Sequence, residues 1–249
     1  MTDYTRAESP IAVQNAAPRR KADKNRSAWD FLRGAGYRVA KEIFDFFSTF
    51  FLSLFLSPLM ILVALLIVSR DFGNPIYRQK RVGKDGAAFY IYKFRSMRKG
   101  ADDLESALTP EQLRAYRREY KLERDPRMIG YRGDGKPCFG ERLRQWSLDE
   151  LPQIFFNICL FGNMSVVGPR PVLASELREY YTPEERRRLL SVKPGLTGYW
   201  QAYARNDAGY QDGRRQAMEL FYVERRSLRF DAQILCKTLE AVWRKRGAK

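Results

Sequence analysis

The residues best suited to chemistry are two adjacent carboxylates, Asp149 and Glu150, in Ser147-Leu148-Asp149-Glu150-Leu151-Pro152-Gln153. Ser147 and Glu150 have the spacing of a helix capping box, so a plain helix start explains the motif as far as spacing alone goes. Neighbours on a helix point about 100° apart, so the two carboxylates cannot act as twins on one substrate atom and should take different roles. Arg142 and Arg144 lie one turn upstream and a helix N-terminus lies beneath, which predicts that both stay ionised. An ionised, positioned aspartate can attack phosphorus, and a neighbouring glutamate can hold a divalent cation that neutralises phosphates. The 249-residue chain has no histidine. Serine–histidine triads, histidine zinc sites and histidine general bases are therefore excluded.

Two sets of cations could serve those carboxylates. Ile76 to Val82 and Ala88 to Phe94 read as strands of a hairpin turning at Gly83-Lys84-Asp85-Gly86. The hairpin carries Arg78, Lys80, Arg81 and Lys93, with Arg95 just beyond it. It is either a solvated basic hairpin or a clamp for phosphate. In Pro169-Arg170-Pro171 the rigid flanks lower the ordering cost of offering one guanidinium to an anion. The formal charge of +16 requires anionic partners. Nucleic acid, anionic lipid and phosphorylated small molecules all qualify; beside a membrane segment, lipid headgroups are the simpler explanation, at about 1 kcal/mol per basic residue. No nucleic-acid-binding signature is present. Cys138, Cys159 and Cys236 are dispersed without metal-ligand spacing, as suits a reducing compartment.

The element that must position these groups is the uncharged stretch Phe46 to Val68, interrupted by Ser57-Pro58. Proline removes a backbone donor and costs roughly 3 kcal/mol inside a helix, part of which Ser57 can recover by bonding a carbonyl one turn back. Either a kinked spanning helix or a helix that breaks and returns would result. Basic residues flank both ends equally: Lys24, Arg26, Arg33, Arg38 and Lys41 before, Arg70, Arg78, Lys80, Arg81 and Lys84 after. That balance favours the re-entrant form. A buried core helix is the remaining alternative, weakened by the lack of a polar face. Residues 1–40, with Pro10, Pro18 and Arg19-Arg20-Lys21, read as a disordered basic tail without a cleavable signal peptide. The chain beyond the apolar stretch is long enough for one domain. It comprises the hairpin, helices over Asp102–Arg124 around Pro110, a loop to Gly140, a helix over Ser175–Leu190 broken at Thr182-Pro183, a turn-rich stretch Lys193–Gln201, and a last element over Arg214–Arg246.

Taken together the motifs resemble the bacterial sugar transferases, the monotopic polyprenyl-phosphate phosphoglycosyl transferase family. The matching pieces are Ser57-Pro58, Tyr92-Lys93-Phe94-Arg95-Ser96-Met97, Ser147 to Gln153, Gly168-Pro169-Arg170-Pro171 and Lys193-Pro194-Gly195-Leu196-Thr197-Gly198, in the family's order over roughly residues 40 to 246. The resemblance implies an α+β, mostly helical fold with a re-entrant membrane helix, interfacial helices and a small β-hairpin. Its parts would be a basic cytoplasmic tail (1–40), a re-entrant helix broken at Ser57-Pro58 (41–70) and a catalytic domain docked on the membrane (71–249).

The implied reaction moves a sugar 1-phosphate from a UDP-sugar to polyprenyl (undecaprenyl) phosphate and releases UMP. That is a first membrane step of exopolysaccharide, capsule, O-antigen or glycoconjugate assembly at the cytoplasmic face of the bacterial inner membrane. By resemblance Asp149 is the nucleophile forming a phosphosugar-enzyme intermediate, and Glu150 a Mg²⁺ ligand. Arg170, between Pro169 and Pro171, is expected at the nucleotide. Arg144 steadies the carboxylates or a headgroup, and Lys93 and Arg95 contact substrate. Partners would be the two substrates and anionic membrane lipids, with a homodimer admissible and no nucleic acid. Length and C-terminal region suggest the short form without four extra transmembrane helices. Ala204-Arg205-Asn206 and Arg225-Arg226-Ser227 depart from the family pattern, which bears on sugar choice and docking. Two other readings compete: a non-catalytic membrane adaptor, and a metal-dependent glycosyltransferase releasing UDP.

Overall fold

The structure, a computed structural model, describes residues 28–119, 122, 124–204 and 212–243. The chain divides into residues Met1–Gly36, of which only the start of the first helix is described, and one compact unit, Tyr37–Lys249. The expected tail therefore lies outside the described residues up to position 27, as do Arg205 and Asn206 and the end of the chain beyond Trp243.

Helix α1 runs Ala28–Arg70 with Pro58 inside it. Here the expectation of a broken helix needs correcting: the chain stays helical through Ser57-Pro58. The missing Pro58 N–H would have bonded the Leu54 carbonyl four residues back. Ser57 Oγ donates to that same carbonyl at 2.8 Å, so the orphaned acceptor is satisfied and the helix continues. The helix is inside out for a soluble protein. Phe50, Phe51, Leu54, Phe55, Ile61, Leu62 and Leu65 are exposed while Asp45, Thr49 and Ser53 are buried. Only 17% of its most apolar stretch is buried, so it is not a core helix, and its length and composition suit a membrane.

Within this unit α1 is fastened at two places. Toward the N-terminus, Ser165 Oγ and the Val166 N–H donate to the Asp45 carboxylate (2.5 and 3.3 Å), and Lys41 pairs with Asp231 at 2.7 Å. Toward the C-terminus, Val63 and Ile67 pack with Phe94, Ile129 and Leu143. Burying an Ile or Val side chain fully contributes roughly 1.5–3 kcal/mol.

The hairpin forms as its sequence predicts: β1 (Ile76–Val82) pairs antiparallel with β2 (Ala88–Phe94), and Lys84–Gly86 makes a tight turn between them. Helices α2 (Leu104–Ala107) and α3 (Pro110–Glu119) make a small lobe, followed by a loop to α4 (Phe139–Gln145). A 3₁₀ turn Leu148–Glu150, a short turn α5 (Leu151–Gln153) and a π-helix Ile154–Leu160 follow without a gap. Then come β3 (Ser165–Val167), α6 (Ala174–Tyr180), α7 (Pro183–Leu189), β4 (Gly195–Thr197), α8 (Tyr199–Tyr203), α9 (Arg214–Arg225) and α10 (Leu228–Trp243). The single last element expected over Arg214–Arg246 is in fact two helices parted at Arg226-Ser227.

The parallel pair β3–β4 lies where the sequence reads as loop. It exists because three glycines let two backbones touch. A Cβ on Gly195 would sit 2.0 Å from the Gly168 nitrogen, and one on Gly198 would sit 2.3 Å from the Gly168 carbonyl oxygen. The Gly168-Pro-Arg-Pro and Lys-Pro-Gly195-Leu-Thr-Gly198 motifs are thus two halves of one junction.

Candidate active site

The carboxylate pair is set by an abrupt turn. Helix α4 ends at Gln145, and Ser147 then adopts the left-handed conformation (φ 53°), uncommon for a residue with a side chain. The capping box expected at Ser147 is absent: Ser147 makes no side-chain cap bond, because left-handed backbone turns it out of the capping position. Its backbone is used instead: the N–H donates to the Arg144 carbonyl at 3.1 Å and the carbonyl accepts the Glu150 N–H at 3.2 Å. Leu148 and Leu151 on either side pack against the core cluster of Val63, Ile67 and Phe94 and so pin the turn.

Asp149 is 9% exposed. Burial first, and the adjacent Glu150 charge second, push it up to about 6, against the pull of Lys93 and Arg144. The expectation that Asp149 stays ionised meets a cost here, because desolvation outweighs the cations. It remains mostly ionised at neutral pH. Glu150 reaches outward and pairs with Lys93 at 2.7 Å.

The expected cations separate into three places. Lys93, on β2, lies with the carboxylate pair. Arg144 donates through Nε to Ser96 Oγ at 2.9 Å, which fixes the guanidinium-bearing side chain where its charge acts on Asp149. Arg95 points to the end of α1 instead, bonding the Asp71 side chain and carbonyl and, at 3.0 Å, the Asn74 carbonyl.

Arg170 belongs to a second cluster. Its N–H donates to Glu219 Oε2 at 3.1 Å, and its guanidinium lies 5.9 Å from the Trp200 ring centroid, with Arg215 over the same ring at 4.0 Å. Glu219 is 2% exposed, and burial pushes it up to about 7 against Arg215, the Arg170 N–H bond and the Arg170 charge. Pro169 and Pro171 are both anchored: their carbonyls accept the Gly195 N–H (2.8 Å) and Arg81 Nη1 (3.3 Å). Ser57 and Pro58 lie apart from both clusters, on α1.

Sequence reasoning passed over Glu219 and Asn157. Each had a signal, a lone polar residue inside an apolar run: Glu219 between Met218 and Leu220, and Asn157 within Ile154 to Phe161.

Among the described residues no three acidic or cysteine side chains gather as a metal cage. Asp149 and Glu150 nonetheless offer a hard, anionic oxygen pair, and Glu150 already holds a cation in the Lys93 ammonium. Mg²⁺ uses such sites, bound through one or two carboxylates with phosphates and water completing its octahedron. Beside the turn, Trp146, Phe155, Leu160 and Phe161 present an exposed apolar rim, with the Tyr92 ring tilted against Phe156 and Phe161 at 5.0 and 5.7 Å between centroids. The arrangement can attack phosphorus with a buried carboxylate, at the edge of a surface that suits lipid.

Several known proteins are similar to this chain over most of its length. The chain is 39% identical to the exopolysaccharide production protein ExoY of Rhizobium meliloti over 213 residues, 84% of this chain and 88% of that protein. It is 38% identical to the undecaprenyl-phosphate galactose phosphotransferase of Salmonella typhimurium, over 85% of this chain but only 42% of the relative. It is 32% identical to the undecaprenyl-phosphate glucose phosphotransferase of Komagataeibacter xylinus, over 86% of this chain and 36% of the relative. The chain thus spans less than half the length of those two phosphotransferases. The family model for bacterial sugar transferases matches residues 36–245, from the membrane-suited helix through both clusters to the end of α10. The chain belongs to the bacterial sugar transferase family.

Proposed function

We propose that this chain is a membrane-associated enzyme that transfers a sugar 1-phosphate from a UDP-sugar to a polyprenyl phosphate, releasing UMP. The observation that carries the reading is the buried Asp149 beside Glu150, Lys93 and Arg144, next to an exposed apolar rim. One substrate is soluble and the other lies in lipid, so the reacting carboxylate must stand at their boundary. In the first half-reaction an ionised Asp149 oxygen attacks the phosphorus that bears the sugar. The bond to the bridging oxygen breaks, and UMP leaves with that oxygen. In the second, a phosphate oxygen of the polyprenyl phosphate attacks the same phosphorus and returns Asp149 as a carboxylate. Lys93 and Arg144 would hold the charge that accumulates, and Arg170 would meet the nucleotide. Mg²⁺, held by Glu150, would supply further neutralisation of the diphosphate.

A re-entrant α1 fits this reading. A spanning helix would set the segments on either side of its apolar stretch on opposite sides of the hydrocarbon core. Asp45 and Ile67 both pack on the same compact unit, through Ser165 and Phe94. With both ends on one side, the catalytic unit would lie on the cytoplasmic face of the inner membrane, where nucleotide sugars are available. Exopolysaccharide or a related surface glycan is the product class in keeping with the relatives' names.

The test is nucleotide release from a panel of UDP-sugars with polyprenyl phosphate and Mg²⁺. UMP formation that needs the lipid for turnover supports the reading. UDP as the product would replace it with simple sugar transfer, and no nucleotide release from any donor would favour an adaptor.

A further inference from the structure

Asn157 is completely buried, in the middle of the π-helix, among apolar neighbours. An apolar side chain there would avoid the cost of burying an amide, so the amide must be compensated by its bonds. It makes three. The Tyr92 N–H donates to Asn157 Oδ1 at 3.0 Å, and Asn157 Nδ2 donates to the Tyr90 carbonyl at 2.7 Å and to Asn163 Oδ1 at 3.1 Å. Its own carbonyl accepts the N–H groups of Asn163 and Met164 at 3.0 and 3.2 Å.

Tyr90 and Tyr92 are alternate residues on one edge of β2. The other edge pairs with β1, and among the described residues this sheet has no third strand. The Asn157 amide therefore stands in for a third strand, satisfying one donor and one acceptor of the edge of β2 that faces away from β1. The strand it grips carries Lys93 next to Tyr92. The helical segment it belongs to begins about two turns earlier, at Asp149 and Glu150. The wide turn of the π-helix, closed by the Phe161 N–H on the Phe156 carbonyl at 2.9 Å, brings Asn157 level with the strand edge.

We propose that Asn157 is a positioning residue: by clamping β2 to the π-helix it sets the Lys93 ammonium against the Asp149–Glu150 turn. The proposal deepens the transferase reading and, for its kinetic part, rests on it. The apolar partners Ile91, Ile158 and Met164 hold the two elements face to face but leave sliding along the strand open. The amide fixes that slide, because its donor and acceptor fit only one register.

Three measurements on the full-length protein test this. The first is a double-mutant cycle of Asn157→Leu with Lys93→Met, reading kcat and the KM for UDP-sugar per folded molecule. Asn157→Asp is the second variant; it keeps the acceptor for the Tyr92 N–H but sets a second carboxylate oxygen against the Tyr90 carbonyl. We expect each Asn157 variant to lower kcat about 10- to 100-fold with KM within about threefold. Asn157→Leu should add little on top of Lys93→Met, since both disturb one contact. The second measurement, reductive methylation of Lys93 followed by mass spectrometry, needs no activity. Labelling should quicken at least about threefold in both variants. The third, amide hydrogen exchange, should show faster exchange at Tyr92 in Asn157→Leu than in Asn157→Asp. Effects that are additive with Lys93→Met, or Lys93 labelling as slow as in the wild type, overturn the proposal and leave Asn157 a packing residue. If the wild type forms no UMP, the transferase reading fails by itself, and the labelling decides whether Asn157 positions Lys93.

Discussion

Replacing Asp149 by asparagine should abolish turnover and make the protein more stable. Folding raises this carboxyl from its ordinary 3.8 to about 6, with burial as the main cause. The folded chain therefore binds that proton more tightly than the unfolded chain. The stability associated with the protonated acid is full below about pH 3.8 and is lost as pH rises through about 6. At about 1.4 kcal/mol per pH unit, the loss amounts to about 3 kcal/mol at pH 8 and roughly half that at pH 5. Asparagine is close in shape and carries no charge, although its buried amide must find partners, so the net gain at pH 8 should be about 1–3 kcal/mol. For a chain of this size each kcal/mol moves the melting temperature by about 2–4 °C. Melting of the purified protein in detergent, with Asp149→Asn and wild type side by side at pH 5 and pH 8 without substrate, reads this directly. A mutant less stable than wild type at pH 8, or a gain that does not shrink at pH 5, would refute the reasoning that burial of an ionised Asp149 is a cost borne for function.

Further outcomes rest on neighbouring contacts. Lys93→Met removes a cation that holds Asp149 down, so the acid limb of the kcat/KM profile should move to higher pH, with kcat/KM at pH 7 reduced about 10²-fold; an unmoved limb would mean that Lys93 does not act on Asp149. Gly195→Ala should cost more than about 3 kcal/mol, read as lost folded yield or a lower melting temperature, since its Cβ would meet the Gly168 nitrogen at 2.0 Å. A stable Gly195→Ala protein would show that the β3–β4 junction is looser than so close an approach requires. Chelation of divalent cations should stop nucleotide release, with Mg²⁺ restoring it, and Glu150→Gln should raise the Mg²⁺ concentration needed; equal Mg²⁺ dependence of the two proteins would remove Glu150 from that role.

Local chemistry was legible wherever a few neighbouring residues decided the outcome. The hairpin Ile76–Val82 and Ala88–Phe94 arises from β-rich runs around a Gly-containing turn, and the breaks at Pro110 and Thr182-Pro183 arise from proline. Asp149 and Glu150 stood out by type and setting. What the sequence hid depends on distant partners. Ser147 looked like a cap because its spacing is right, but tertiary packing of Leu148 and Leu151 imposes a left-handed turn there. Arg95 looked equivalent to Lys93, two residues further along the chain and just past β2, yet Asp71 at the end of α1 claims it. The β3–β4 pair was invisible because strands of three residues leave no period to read; its signal was in Gly168, Gly195 and Gly198. Pro58 marked a weak point in α1, and only the fit of Ser57 Oγ to the Leu54 carbonyl decides that the helix continues.

The measurement that bears most directly on the mechanism is trapping of the first half-reaction. The full-length protein would be incubated with UDP-sugar labelled at the phosphate that bears the sugar, with Mg²⁺ and without polyprenyl phosphate, then quenched and digested. We expect label bound covalently to the peptide carrying Asp149, about one equivalent of UMP per active protein, chase of the label into lipid when polyprenyl phosphate is added, and neither event with Asp149→Asn. UMP formed only when polyprenyl phosphate is present, with no label on the protein under any quench, would contradict a covalent Asp149 intermediate and leave the carboxylate an electrostatic or metal-holding group in a direct transfer.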